Sequence, residues 1–296
     1  MRLSEARQKL MTILGRLYDS RESSAINELV LEKITGWGKI ERVIHKDEEL
    51  SFTKEKLLEI YLADLSRGRP VQYVLGEAWF CGMRFMVDEN VLIPRPETEE
   101  LVQWVVSDLN EQTADRHTYS NYRGKLKMMD VGTGSGCIAV TIASKFPAID
   151  VQACDISNKS LLLAHQNAAA NGVSVQFGLL DVLNKGQRKS ISDFDVIVSN
   201  PPYIPLIEKE TLHVNVVNFE PHEALFVGNN DPLVFYEAIA DLGMEKLSRP
   251  GSIYVETHEK MGANVKKLFL DKGFQNIAIR KDLHGKQRLV KATLLL

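Results

Sequence analysis

The sequence has few of the features that mark secreted or membrane-embedded proteins. It contains only three cysteines, Cys81, Cys137 and Cys154, and because they are odd in number and far apart we expect reduced thiols rather than disulfides. No apolar run approaches the roughly 18 residues that a membrane-spanning helix needs. The first ten residues carry several charges and no signal-peptide core, so we expect a cytoplasmic protein without a membrane partner.

An excess of basic charge is also missing. The chain has 36 lysines and arginines against 39 aspartates and glutamates, a formal net charge of −3, and the two signs are nearly balanced within the first 70 residues. A domain that binds a nucleic-acid backbone normally has a strong excess of lysine and arginine, so we expect no direct nucleic-acid binding. No cysteine–histidine cluster has the spacing of a zinc site, and we expect no metal.

Length and composition favour two domains. The 296 residues, 44% of them hydrophobic, can bury one large core and a smaller one. Residues 1–75 are predicted to form a domain of short helices, 76–95 a β-hairpin linker around Gly82, and 96–296 an α/β domain. Within the helical domain, four apolar positions are spaced for one buried helix face: Leu10, Ile13, Leu14 and Leu17.

Strands and helices alternate through the α/β domain. Helices are predicted at 97–109, 137–145, 158–170, 231–240 and 261–271. Strands are predicted at 125–130, 150–154, 173–179, 194–199, 252–256, 276–280 and 287–295. Residues 110–124 are polar and aperiodic, which predicts a loop. The alternation predicts an α/β fold with a doubly wound, mostly parallel sheet.

A glycine-rich loop follows the first of these strands. It consists of Gly132, Thr133, Gly134, Ser135 and Gly136 and leads directly into an apolar helix. Glycines permit a tight turn and let a ligand approach the backbone closely at a helix N-terminus. The G-x-G-x-G spacing lacks the glycine or alanine that the dinucleotide fingerprint requires at the next position, so nicotinamide and flavin cofactors are disfavoured.

Acidic residues follow the next two strands. Asp155 lies about 20 residues beyond the glycines, where a carboxylate can accept hydrogen bonds from both hydroxyls of a ribose. The alternative for Asp155 is a helix N-cap. Asp181 can accept a hydrogen bond from an adenine amino group while Val182 covers the ring. The alternative for Asp181 is a solvated turn residue.

The tetrapeptide Asn200-Pro201-Pro202-Tyr203 directly follows the apolar strand at 194–199. Its prolines fix their own φ and lack N–H groups, which makes the loop stiff and extended. The Asn200 side-chain oxygen and the Pro201 carbonyl can accept hydrogen bonds from a planar NH2 group, while Pro202 and Tyr203 form a wall beside it. We predict that these four residues are catalytic and bind the substrate. For the tetrapeptide alone, the alternative is an ordinary strand-ending turn.

These loops all stand at the carboxyl ends of predicted strands, where open α/β sheets bind their ligands. One cleft is therefore expected to gather them. The candidate cofactor-binding residues are Gly132, Thr133, Gly134, Ser135, Gly136, Asp155, Asp181, Val182 and Asn200.

Glycine loop, acidic residues and Asn-Pro-Pro-Tyr, in this order, resemble a class I S-adenosylmethionine-dependent methyltransferase. The longer resemblance is to the HemK-type peptide chain release factor glutamine methyltransferases. It rests on segments from about residue 60 onward: 67–76, 80–87, 92–99, 129–136, 198–204 and 219–221. The 92–99 segment, Leu-Ile-Pro-Arg-Pro-Glu-Thr-Glu, discriminates most, because other amino-methylating enzymes share Asn-Pro-Pro-Tyr. Asn218 and His258 depart from the pattern, where arginine and glycine are frequent.

The resemblance implies a specific reaction. S-adenosyl-L-methionine would donate a methyl group, without a metal, to the side-chain amide nitrogen of the glutamine in the Gly-Gly-Gln motif of translation release factors, leaving S-adenosyl-L-homocysteine. It also implies a seven-stranded sheet with an antiparallel terminal hairpin and a helical domain that docks the protein substrate. We expect a monomer.

Two other functions stay open at this point. An adenine N6 or guanine N2 methyltransferase would present an exocyclic amine to the same clamp after base flipping. Against it stand the missing basic stretch and the lack of a target-recognition domain. A cofactor-binding interaction protein without catalysis is less favoured, because Asn200 and the glycine loop are intact.

Overall fold

The computed structural model describes residues 1–114, 125–189 and 191–295. Its helices, in chain order, are α1 (Leu3–Leu14), α2 (Ser20–Thr35), α3 (Lys39–Ile44), α4 (Phe52–Leu65), α5 (Val71–Leu75), α6 (Pro96–Ala114), α7 (Cys137–Lys145), α8 (Asn158–Ala170), α9 (Lys185–Arg188), α10 (Val214–Phe219), α11 (His222–Leu225), α12 (Val234–Lys246) and α13 (Gly262–Asp271). A 3₁₀ helix covers Leu206–Thr211. The strands are β1 (Glu77–Phe80), β2 (Met83–Met86), β3 (Lys127–Val131), β4 (Asp150–Asp155), β5 (Gln176–Leu179), β6 (Phe194–Ser199), β7 (Ile204–Pro205), β8 (Phe226–Val227), β9 (Leu247–Glu256), β10 (Gln275–Lys281) and β11 (Gln287–Leu294).

The chain divides into two compact units. The smaller unit, called the helical unit below, comprises Met1–Glu77 and His213–Phe219; the larger, called the sheet unit, comprises Ala78–Leu212 and Glu220–Leu296. The predicted domain boundaries after residues 75 and 95 stay predictions.

Side-chain caps and a core of its own define the helical unit. Asp19 accepts hydrogen bonds from the first turn of α2, and Ser51 does so for α4. The core gathers aliphatic side chains of α1, α2, α4 and α5, among them Leu10, Leu14 and Leu58. The predicted apolar face of α1 is only partly right, because the helix ends at Leu14 and Leu17 beyond it is exposed.

The sheet unit is built around seven strands in the order β10-β11-β9-β6-β3-β4-β5. The pairs β3–β4, β3–β6, β4–β5 and β6–β9 are parallel, whereas β11 pairs antiparallel with both β9 and β10. The predicted doubly wound, mostly parallel sheet with a terminal hairpin is therefore confirmed. The chain leaves β3 towards β4 and returns to its other side as β6, so the ligand-binding switch point lies at the ends of these strands.

The central strands of the sheet are buried on both faces, as parallel sheets require, whereas the edge strands β5 and β10 are largely exposed. Successive residues of a strand point to opposite faces, and two hydrophobic clusters divide the strands accordingly. Val196 and Val198 of β6 belong to one cluster, together with α6 and α7, whereas Ile197 belongs to the other, together with α12 and α13.

Two local predictions need correction. Helix α6 continues to Ala114, into the stretch predicted as a loop from 110, because Glu111, Gln112 and Ala114 favour helices and no glycine or proline stops the helix. The remainder of that predicted loop, 115–124, lies outside the described residues. The hairpin is shorter than predicted: β1 and β2 span only 77–86, with Cys81 and Gly82 at positive φ forming its two-residue turn.

Candidate active site

A cavity of about 270 Å³ opens at the carboxyl ends of β3, β4 and β6. It brings together most of the residues predicted from the sequence: Gly132, Thr133, Gly134, Ser135, Asp155, Asp181, Val182, Asn200, Pro201 and Pro202. Gly136 and Tyr203 are not among the residues that line it. All its lining residues belong to the sheet unit.

The glycine loop is held by hydrogen bonds to the end of β4. The N–H groups of Gly132 and Thr133 both donate to the carbonyl of Cys154 at 2.9 Å. Gly132, Gly134 and Gly136 have φ of 73°, 53° and 80°, in the left-handed region that favours glycine. Around a Cβ built on either of the first two glycines, no atom lies within 4 Å, so the backbone there faces open space.

Gly136 has a different role, in helix packing. A Cβ at this position would lie 3.1 Å from the Cβ of Ala164 in α8 and 3.3 Å from its Cα. The residue stands at the N-cap of α7, so its missing side chain lets α7 and α8 approach each other. Its predicted direct contact with the cofactor stays a prediction.

Asp155 holds the glycine loop as well as lining the cavity. One carboxylate oxygen accepts from the N–H of Gly134 and the other from the N–H of Ser157, both at 2.9 Å. A carboxylate has about four acceptor positions, so both oxygens can still accept from ribose hydroxyls. Burial raises the pKa of Asp155, and the two backbone hydrogen bonds oppose that rise. The N-cap alternative fails, because Ser157 caps α8.

Apolar residues surround the second acidic position. Asp181 lines the cavity with the buried Val182, and with Ile156 and Leu183, whose side chains are 61% and 41% exposed. One Asp181 oxygen accepts from the N–H of Leu183 at 2.9 Å. Three apolar side chains beside a carboxylate suit a flat base that carries an amino group. Ile156 and Leu183 are additions to the predicted set.

The Asn-Pro-Pro-Tyr loop emerges from the fully buried strand β6. At the strand end, the hydroxyl of Ser199 donates to the carbonyl of Val131 at 2.7 Å, which ties β6 to the strand before the glycine loop. Asn200 donates through Nδ2 to the Thr98 hydroxyl at 2.9 Å. Tyr203 donates to the carboxylate of Glu256 at 3.0 Å, and burial raises its pKa well above the ordinary value.

Sequence patterns left the segments 90–98 and 221–224 outside the predicted site, although several residues of each line the cavity. They are joined by the buried Glu220, which pairs with Arg95 and accepts from the N–H of Ile93 at 3.3 Å. The signal was present in the sequence, in the Leu-Ile-Pro-Arg-Pro-Glu-Thr-Glu and Phe-Glu-Pro motifs, but no local pattern indicates that they meet.

A buried carboxylate also lies beneath the glycine loop. Asp130, at the end of β3, accepts from the Thr133 hydroxyl at 2.6 Å and from the N–H of Ala139 at 3.2 Å. Burial raises its pKa to about 7, against the effect of these two hydrogen bonds.

Of the two departures from the family pattern, His258 lies 3.1 Å from the Glu208 carboxylate and meets the Tyr203 ring edge-on.

The residues present fit S-adenosylmethionine. Gly132 and Gly134 provide backbone without side chains, Asp155 provides acceptors for a ribose, and Asp181 provides an acceptor among apolar side chains.

Over the described ranges, no group of three or more histidine, cysteine or acidic residues is placed to hold a metal ion. Among the helices described, none is both long and apolar enough to cross a membrane. The three cysteines, all in described segments, are unpaired.

Comparison with known proteins identifies the family. Two family models match, the PrmC N-terminal domain over residues 3–76 and the Methyltransferase small domain over 117–218. The hMettl16 catalytic domain, solved in complex with the MAT2A 3′UTR hairpin 6, aligns with a TM-score of 0.54 over 81% of each chain at 15% identity, which supports the fold alone.

Sequence relatives cover nearly the whole chain. The release factor glutamine methyltransferase of Flavobacterium psychrophilum is 36% identical over 291 residues, covering 98% of this chain and 99% of the relative. The protein of the same name from Bacteroides thetaiotaomicron is 35% identical over 279 residues, covering 94% and 95%. With these relatives, both family models and the methyltransferase sheet around the cavity, the chain belongs to the release factor glutamine methyltransferase family.

Proposed function

We propose that this protein transfers a methyl group from S-adenosylmethionine to the side-chain amide nitrogen of the glutamine in the Gly-Gly-Gln motif of translation release factors. The observation that carries the proposal is the cavity shared by the glycine loop, Asp155 and Asn200. One side of it suits a nucleoside, and the other presents acceptors for an NH2 group. The names of the relatives support a release factor as the acceptor protein.

When bound, S-adenosylmethionine supplies an electrophilic methyl group: the amide nitrogen donates its electron pair to the methyl carbon, the carbon–sulfur bond breaks towards sulfur, and S-adenosylhomocysteine and a proton leave. An amide nitrogen is a poor nucleophile, because its lone pair is delocalised into the carbonyl group. The protein must therefore act through positioning, which can supply roughly 7 to 11 kcal/mol when two reactants are held near attack distance.

The Asn-Pro-Pro-Tyr loop provides that positioning. Asn200 Oδ1 accepts one N–H of the substrate amide and the Pro201 carbonyl accepts the other, which favours a nitrogen that gains positive charge. Pro202, which lines the cavity, forms the wall beside the amide. Tyr203 completes the predicted catalytic set; its hydroxyl is engaged with Glu256, so we assign to it only the contribution of its ring. No residue has to act as a base, because the methylated nitrogen is acidic enough to lose its proton to water.

The substitution Asn200→Ala tests this assignment. We expect kcat with release factor to fall about 10²- to 10³-fold, the usual effect of removing one preorganised hydrogen-bonding group. Affinity for S-adenosylmethionine, measured by titration calorimetry, should fall much less than kcat, because Asp155 and the glycine loop, which make most of the predicted cofactor contacts, remain. Asn230→Ala, which alters an exposed asparagine that does not line the cavity, serves as the control. Near wild-type turnover by Asn200→Ala would remove the proposed role.

The acceptor is tested with labelled S-adenosylmethionine and three substrates: purified release factor, a variant whose Gly-Gly-Gln glutamine is replaced by alanine, and bulk DNA and RNA. We expect label in the first alone. Label in nucleic acid alone would favour the exocyclic-amine alternative, and equal label in both protein forms would exclude this glutamine. We propose the helical unit, which has its own core, as the docking module for the release factor. Activity in excess chelator tests the expectation that the reaction needs no metal.

A further inference from the structure

Behind the Asn-Pro-Pro-Tyr loop lies a buried carboxylate that the reaction scheme above does not use. Glu256, at the end of β9, is 1% exposed. One of its oxygens accepts from the Tyr203 hydroxyl at 3.0 Å and the other from the Thr98 hydroxyl at 2.6 Å. The register explains the placement, since Ser199 pairs with Val255 in the parallel strands β6 and β9 and the next residues are Asn200 and Glu256.

The hydrogen bonds form a chain with a fixed direction. Burial raises the pKa of Glu256, and the hydrogen bonds from Thr98 and Tyr203 oppose that rise. The ionised carboxylate only accepts, and in that state Glu256 directs the single hydroxyl proton of Thr98 towards itself. The Thr98 oxygen can then accept a hydrogen bond, which Nδ2 of Asn200 donates at 2.9 Å. Because Nδ2 is committed to Thr98, the oxygen Oδ1 is the end of the Asn200 carboxamide left for a ligand's N–H.

We infer that Glu256 and Thr98 are positioning residues that hold the Asn200 carboxamide with its oxygen towards the amide of the substrate. The inference rests on the proposed function. A flipped Asn200 would place an NH2 group against the NH2 group of the substrate, with no acceptor between them. The hydrogen-bonded chain Glu256–Thr98–Asn200 prevents that state.

A purely structural role explains the arrangement less well. The side-chain hydrogen-bond partners of the Glu256 carboxylate are neutral hydroxyls, and a buried charge with neutral partners costs free energy that an apolar pair of similar shape would not. The main chain is already held without the carboxylate, since the Tyr236 hydroxyl donates to the Glu256 carbonyl at 3.1 Å. A costly charge beside a cavity is a mark of a functional site.

The test is a double-mutant cycle between Thr98 and Asn200. Thr98→Val keeps the shape of the side chain and removes the hydroxyl. A residue that acts through Asn200 costs at most what Asn200 costs, so we expect kcat with release factor to fall about 10- to 100-fold, with unchanged affinity for S-adenosylmethionine. In the Asn200→Ala background the same change should lower kcat by less than about 2-fold, because nothing remains to orient.

Two further variants sharpen the result. Thr98→Ser retains the hydroxyl and should recover most of the activity. Glu256→Gln places an NH2 group that can donate to the Thr98 oxygen. The Thr98 hydroxyl proton can then donate to Oδ1 of a flipped Asn200, so kcat should fall in this variant as well. Thr141→Val, which removes a buried hydroxyl without a hydrogen-bond partner in α7, is the matched control and should leave kcat unchanged.

The outcomes separate this inference from the proposed function. If wild-type protein methylates the glutamine but Thr98→Val has the same effect in both backgrounds, or Thr98→Ser is as impaired as Thr98→Val, the positioning role is wrong and the function stands. If Thr98→Val loses cofactor affinity in proportion to kcat, its role is structural. If wild-type protein transfers no methyl group to release factor, both proposals fail.

Discussion

Asp130 shows how a single residue can make the stability of this protein depend on pH. Its carboxyl is fully buried, and burial raises its pKa from 3.8 to about 7. The native state therefore holds the proton more tightly than the unfolded chain does. This stabilisation is fully present below about pH 4, decreases as the pH rises towards 7 and is absent at higher pH. For a pKa shift of this size it amounts to roughly 4 kcal/mol at most.

We predict that Asp130→Asn, which cannot ionise, flattens the fall in the free energy of unfolding between about pH 4 and 7. The measurement is urea unfolding at several pH values, comparing slopes rather than absolute stabilities, because the new NH2 group costs about 1–3 kcal/mol if it finds no partner. Asp193→Asn, at an exposed aspartate, is the control and should keep the wild-type slope. An unchanged slope in Asp130→Asn would assign the pH dependence to other groups.

At the scale of elements, the glycine loop and the helix that follows it are fixed by two different constraints. At Gly132 the constraint is the left-handed backbone conformation, which an alanine adopts at a cost of about 1–2 kcal/mol in the free energy of folding. Gly136 has the same backbone and, in addition, a Cβ there would lie 3.1 Å from the Cβ of Ala164, closer than an ordinary van der Waals contact. Overpacking of this kind adds about 1–3 kcal/mol.

We therefore predict that Gly136→Ala destabilises the protein more than Gly132→Ala, by the overpacking contribution. The free energies of unfolding without cofactor, measured in urea, provide the comparison, with Gly132→Ala as the matched control. The double variant Gly136→Ala/Ala164→Gly should recover part of the difference, because it removes the atom that clashes. Equal losses for the two single variants would show that α7 and α8 adjust without cost.

Sequence patterns predicted the elements that obey local rules. The strand at 194–199 and the helices at 137–145 and 158–170 have the bounds that their hydrophobic runs indicated. The sequence did not reveal which distant segments are in contact. Thr98 lies 102 positions from Asn200 and 158 from Glu256, and neither local period nor spacing relates residues so far apart. The cleft was predictable because parallel strands end at one edge, whereas the support behind Asn200 was not.

At the scale of the whole molecule, separate cores imply separable stabilities. The helical unit packs around its own cluster of aliphatic side chains, whereas the cavity is lined by the sheet unit alone. Local unfolding of one cooperative unit can then occur while another stays folded. Docking of release factor, if it uses the helical unit, would be sensitive to changes that leave the cofactor site intact.

Leu58→Ala tests this separation. Leu58 is fully buried in the helical core, and its truncation should cost that unit about 2–5 kcal/mol. We predict faster hydrogen exchange in α1, α2 and α4, weaker binding of release factor, and unchanged affinity for S-adenosylmethionine by calorimetry. Ile60→Ala, at a position 60% exposed on the same helix, is the control and should change stability by no more than about 0.5 kcal/mol. If Leu58→Ala weakened cofactor binding and release factor binding alike, the two units would fold as one, and the helical unit could not be assigned a separate docking role.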